Sequence, residues 1–96
     1  MVKIRKLVLD VVKPQEPGLV KVSRDLGSLR GIDGVNISLI EIDRKVENVR
    51  VTIQGPDLDV LKITETIEAL GGAIHSIDEV AAGKEIIEHA KTLEEA

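Results

Sequence analysis

The chain contains no cysteine, phenylalanine, tyrosine or tryptophan. Without cysteine there are no disulfides, thiolate metal sites or cysteine nucleophiles. Without aromatics the chain loses the side chains that bury most area per residue, so any core is built from Val, Ile, Leu and Ala. Stacking platforms for single-stranded nucleic acid go with them. Positive charge is also in deficit: thirteen Lys and Arg against seventeen Asp and Glu give a net charge of −4. Affinity for a phosphate backbone comes from counterions displaced by clustered Lys and Arg, so this balance argues against a nucleic-acid partner. The basic start of the chain (Lys3, Arg5, Lys6) is the local exception. No apolar run reaches the length of a membrane span or of a signal peptide. No membrane partner is expected, and the expected location is the cytoplasm.

What is present suffices for a globule. Ninety-six residues, 43% of them apolar, fit one domain over 1–96, with a core over 1–82 and a C-terminal helical tail over 83–96. At this size an aliphatic core is marginal alone, and association adds stability.

Val2–Lys13 reads as a strand. Leu7, Leu9 and Val11 share one parity and Val8 and Val12 the other, with Asp10 between them, which predicts a central strand covered on both faces. Pro14-Gln15-Glu16-Pro17-Gly18 breaks it. From Pro17, apolar residues at Leu19, Val22, Leu26 and Leu29 predict a helix, and Gly31 and Gly34 bracket its exit. Val35–Arg44 is a second strand, with Val35, Ile37 and Leu39 on one face and Ser38, Ile40 and Ile42 on the other. A tight turn at Arg44–Glu47 leads to a third strand carrying Val49, Val51 and Ile53. Gly55-Pro56-Asp57 opens a second helix, with Asp57 as the expected N-cap and Asp59 in its first turn. Its stripe is Val60, Ile63, Ile67 and Leu70, and Gly71-Gly72 ends it. Ala73–Val80 is the fourth strand, and Lys84–Glu95 reads as a final amphipathic helix. The order predicts an α+β, ferredoxin-like βαββαβ fold: a four-stranded antiparallel sheet, two helices on one face, and a C-terminal helix.

Helices leave one face of such a sheet open. Val8, Val12, Ile40 and Ile42 fall there beside Asp10, Ser38, Arg50 and Thr52, an apolar set that monomers rarely expose. These four are the expected interface residues, covered either by the last helix or by another subunit.

No catalytic constellation emerges. The serines have no G-x-S-x-G context, no phosphate loop or dinucleotide fingerprint is present, and His75 and His89 stand far apart. The best case for chemistry is Asp10 facing Arg50 across the open face, a pair whose plain reading is a salt bridge. Glu41 and Asp43, two apart on one strand, project from the same face and are the candidate ligands of a divalent cation such as calcium, with Glu47 expected to approach across the turn. Calcium needs six or more oxygens, and no segment has the spacing of a dedicated calcium loop. The Pro17-Gly18-Leu19 helix start offers free amide N–H groups to an anionic group.

That Pro-Gly-Leu start, followed by Gly34-Val35-Asn36-Ile37-Ser38, resembles the small-ligand regulatory domains called ACT domains. The resemblance implies an amino-acid site at a subunit interface, with Pro17, Gly18, Leu19 and Asn36 near the ligand. The extra Pro14-Gln15-Glu16 segment departs from that pattern. Over its whole length the chain more closely resembles an archaeal family, domain of unknown function number 211. Arg5–Pro14, Gly34–Asp43, Val51–Gly55 and Leu70–Val80 carry the likeness. It implies a ferredoxin-like fold and ring-like or other homo-oligomers, and it supplies no catalytic motif. The phrase Leu70-Gly71-Gly72-Ala73-Ile74-His75 also echoes heavy-metal carriers of the same fold, which need the paired cysteines this chain lacks. The expectation is a non-enzymatic, self-associating domain that binds a small-molecule ligand or divalent cation at a subunit boundary; the alternative is an ACT-like amino-acid sensor.

Overall fold

In the computed structural model, which describes residues 1–89, the elements follow the order βαββαβ. β1 spans Ile4–Pro14, α1 Leu19–Gly27, β2 Gly34–Asp43, β3 Val46–Gln54, α2 Val60–Ala69 and β4 Ala73–Ala82. The strands form one antiparallel sheet in the order β2-β3-β1-β4, a ferredoxin-like arrangement with β3 and β1 central and β2 and β4 at the edges.

Strand parity decides the faces. Leu7, Leu9 and Val11 of β1 stand opposite Ile53, Val51 and Val49 of β3, and Val35, Ile37 and Leu39 of β2 continue the rows. The central residues of these rows are buried with Val22 and Leu26 of α1 and Ile63 and Ile67 of α2. Each helical pair is spaced by four, one turn apart on one side of its helix. Removing such side chains from water contributes about 1.5–3 kcal/mol apiece, and no aromatic shares the work. Among the described residues no helix is long and apolar enough to cross a membrane.

The connections depend on local chemistry. The Glu16–Pro17 peptide bond is cis, and α1 begins two residues later. α2 is capped by Asp59, whose carboxylate accepts a hydrogen bond from the Lys62 amide at 3.1 Å; Asp57, the expected cap, lies in the preceding turn. Gly71, at φ +88°, occupies the left-handed conformation that closes the helix. At Gly55 a Cβ would collide with the Gly31 carbonyl oxygen, so the β3–α2 turn admits only glycine there.

The final helix expected over Lys84–Glu95 does not form in its described part. Residues 83–89 run as an irregular strap, and 90–96 lie outside the described residues. Arg5 explains why: its guanidinium donates to the carbonyls of Gly83 (3.3 Å) and Lys84 (2.6 Å), two acceptors that a first helical turn needs. Gly83, at φ +116°, also donates its N–H to Lys3.

One lysine is buried on the helix side of β1. Lys13 is 2% exposed and donates to Glu47 Oε1 and to the Pro14 carbonyl, both at 2.8 Å. Breaking a buried pair leaves an uncompensated charge, whereas replacing both partners with apolar groups is often neutral. Glu47→Leu is therefore expected to cost about 3 kcal/mol in urea unfolding, and adding Lys13→Met to restore most of it. An equal loss in the single and double variants would contradict a coupled pair.

Candidate functional site

The residues that sequence reasoning grouped as a ligand site lie at different ends of the molecule. Pro17, Gly18 and Leu19 follow the Pro14 end of β1, and Gly18 is the N-cap of α1 without a side-chain capping bond. Asn36 stands opposite Thr52, which stands opposite Val8. From Val8 to Pro14 the strand runs on for about 20 Å, at roughly 3.3 Å per residue. Asn36 also faces the helix-free side, where its side-chain oxygen accepts from the Ser38 hydroxyl at 3.1 Å. One copy of the chain does not bring these residues together.

A β-bulge between Leu39 and Glu41 shifts the far half of β2 by one residue. Beyond it, Glu41 and Asp43 pair with Asn48 and Val46, while Ile42 pairs with Glu47. Glu41 and Asp43 thus share one face, as expected, and the bulge makes it the helix-free side, where both are exposed. Glu47 does not join them: it turns to the opposite side and holds Lys13. Among the described residues no group of three His, Asp or Glu is arranged to hold a metal ion. The same bulge carries Ile42 to the helix side, so the open-face set of Val8, Val12, Ile40 and Ile42 is split. Val8 is buried and Val12 half-buried in the sheet centre, whereas Ile40 and Ile42 are each 54% exposed at the edge. On the opposite edge, Ile77 and Val80 of β4 are comparably exposed. Asp10 and Arg50 face each other in register on the open side, without an ion pair between them among the described residues.

The strongest side-chain constellation is one that sequence reasoning did not assemble. Lys6 shares the helix-free side with Val8 and is 8% exposed. Its ammonium lies 2.7 Å from Glu88 Oε2 on the strap and 3.0 Å from Glu79 Oε2 on β4. The Lys6–Glu88 bond therefore ties the strap to the open sheet face, while Arg5, on the other side of the same strand, holds the strap's root. The hydrogen bond to Glu88, then the close contact with Glu79, outweigh desolvation and raise the Lys6 pKa above its ordinary 10.5. Glu79 Oε2 is buried and has no hydrogen-bond partner of good geometry, although the ammonium is close enough for ion pairing. Beside it, Asp78 bulges out of the β1–β4 ladder and accepts from the Ser76 hydroxyl at 2.7 Å. The one sequence signal for this cluster was a lysine at a central-strand position of the open face, among apolar neighbours.

Because the folded-state pKa of Lys6 is raised, the native protein holds this proton more tightly than the unfolded chain. The stability it contributes is complete below about pH 10.5 and is lost as pH rises through the folded value. Melting curves across the alkaline range are expected to fall more steeply for the native chain than for Lys6→Met. Parallel profiles would contradict the assignment of the clamp to Lys6.

The chain is similar to known proteins over nearly its whole length. An uncharacterized protein of Methanocaldococcus jannaschii, MJ0319, is 57% identical over 89 residues, covering 93% of this chain and 92% of that protein. The model of the family DUF211, described as uncharacterized ArCR, matches residues 5–96. With the match running from the Arg5 anchor through β4 and the strap, the chain belongs to the DUF211 family.

Proposed function

We propose that this chain is a cytoplasmic, non-enzymatic module that works as a homo-oligomer, with a small ligand or divalent cation at the boundary between copies. The observation that supports it is the exposure of large aliphatic side chains on both edge strands: Leu39, Ile40 and Ile42 on β2, and Ile77 and Val80 on β4. Edge strands also present unpaired backbone N–H and C=O groups, and soluble monomers usually blunt them with charge. The two edges differ in sequence, so the β2 edge of one copy meeting the β4 edge of the next is a head-to-tail contact. Repeated, such a contact closes into a ring when the rotation allows. Glu41 and Asp43 lie on the β2 edge next to its bulge. A cation held there would complete its six to eight oxygens with donors from the neighbouring copy.

Sedimentation velocity at micromolar concentration, followed by interference optics because the chain lacks Tyr and Trp, is expected to show a defined oligomer. Ile42→Glu or Ile77→Glu is expected to release monomers with unchanged circular dichroism. A native chain that sediments as a monomer contradicts the reading. Native mass spectrometry before and after a chelator identifies the boundary ligand, whose mass disappears with the chelator if it is a cation.

An ACT-like amino-acid sensor is the second reading, supported by the uncapped start of α1 at Gly18. It requires two copies, one lending Pro17, Gly18 and Leu19 and the other Asn36. A ligand that binds only the native state raises the melting temperature. Its absence across all twenty amino acids would count against this reading.

A further inference from the structure

The strap does not lie flat on the open face. Between it and the sheet is a cleft of about 600 Å³ whose floor is Val8 and whose walls carry opposite charge. Arg50 and Thr52 of β3 line one wall; Asp78 and Glu79 of β4 line the other. Val8 pairs with Thr52 on one side and Glu79 on the other, which places the walls two strand spacings apart, about 10 Å.

The groups on these walls keep donor and acceptor atoms beyond those the described contacts use. Arg50 makes no hydrogen bond or ion pair among the described residues, although Asp10 stands opposite it in the ladder. Glu79 pairs with Lys6 through its buried Oε2 at 3.0 Å, and its Oε1 makes no hydrogen bond or ion pair among the described residues. Lys6, a second cation of the cleft, is engaged by Glu88 and by Glu79 Oε2. A simple anion drawn to Arg50 meets the carboxylates of β4, and a simple cation drawn to those carboxylates meets Arg50. A molecule with both charges satisfies both walls. The carboxylate and ammonium of an α-amino acid, with a hydrogen bond of about 2.9 Å at each end, span roughly 9 Å. Its side chain would rest on the Val8 floor or point out of the open cleft.

We propose that the cleft between the strap and the helix-free sheet face binds a small zwitterion of the α-amino-acid class, with Arg50 receiving its carboxylate and Glu79, beside Asp78, its ammonium. This site is separate from Pro17, Gly18, Leu19 and Asn36, and it does not rest on self-association. Thr52 adds a hydroxyl that donates to the same carboxylate or accepts from a polar side chain.

The test is amide chemical-shift mapping on the full chain, titrated with each of the twenty amino acids and, as matched controls for L-alanine, with propionate and ethylamine. At least one amino acid is expected to move the amides of Val8, Arg50, Thr52 and Glu79 at millimolar concentration or below, with both single-charge controls at least tenfold weaker. Arg50→Gln, at an exposed position without a hydrogen bond or ion pair among the described residues, is expected to weaken that binding at least tenfold without changing the melting temperature. Glu79→Gln is the second variant, expected to weaken it similarly. The proposal is overturned if no amino acid moves these amides, if propionate binds as well as L-alanine, or if Arg50→Gln leaves affinity unchanged. Shifts confined to residues 17–19 and 36 overturn it as well, and favour the ACT-like reading instead.

Discussion

Leu7, Leu9 and Val11 alternate along one strand, and the rest of the molecule is arranged to keep them dry. With no aromatic available, the seam between sheet and helices closes only because short aliphatic side chains from β1, β3, α1 and α2 approach closely. Glycines permit that approach. A Cβ on Gly72 would come within 3.1 Å of an Ile67 methyl and 3.4 Å of Val11, so the turn from α2 into β4 can rest against the core only without a side chain. Once β1 is fixed in the centre, its other parity must form the middle of the open face, which places Lys6, Val8, Asp10 and Val12 there.

The two sides of β1 then carry different ionic solutions. On the helix side Lys13 is closed off with Glu47 and serves packing. On the open side Lys6 recruits one carboxylate from β4 and one from the strap, and the strap becomes a wall of a cleft instead of a free tail. Arg5, tied to the carbonyls of Gly55, Gly83 and Lys84, fixes where the strap leaves the sheet. Two adjacent basic residues near the start of the chain, which resemble a weak anion patch in the sequence, are therefore structural ties to its other end.

Element order, the central place of β1 and the split of apolar residues between faces were legible because strand alternation and helical spacing are local signals. The residues that escaped were set by non-local geometry. The bulge after Leu39 reverses the faces of Glu41, Ile42 and Asp43, and simple alternation along β2 cannot anticipate it. Asp59 in place of Asp57 as the cap is a shift of one short turn, where both aspartates fit the local pattern. Amphipathic spacing at 84–95 predicts a final helix, a signal that over 84–89 yields to contacts from Arg5 and Lys6, about eighty residues away. Pro17, Gly18, Leu19 and Asn36 were joined by resemblance, and the antiparallel path of the chain sets them far apart within one copy.

The proposed function sits on surfaces the fold leaves unfinished, above all the outer edges of β2 and β4. Hydrogen exchange of the amides along those edges, measured at low and at high protein concentration, tests that most directly. Outward-facing amides within Gly34–Asp43 and Ala73–Ala82 are expected to become protected as concentration rises, while those of β1 and β3 are protected throughout. Edge amides that exchange equally fast at every concentration would contradict it.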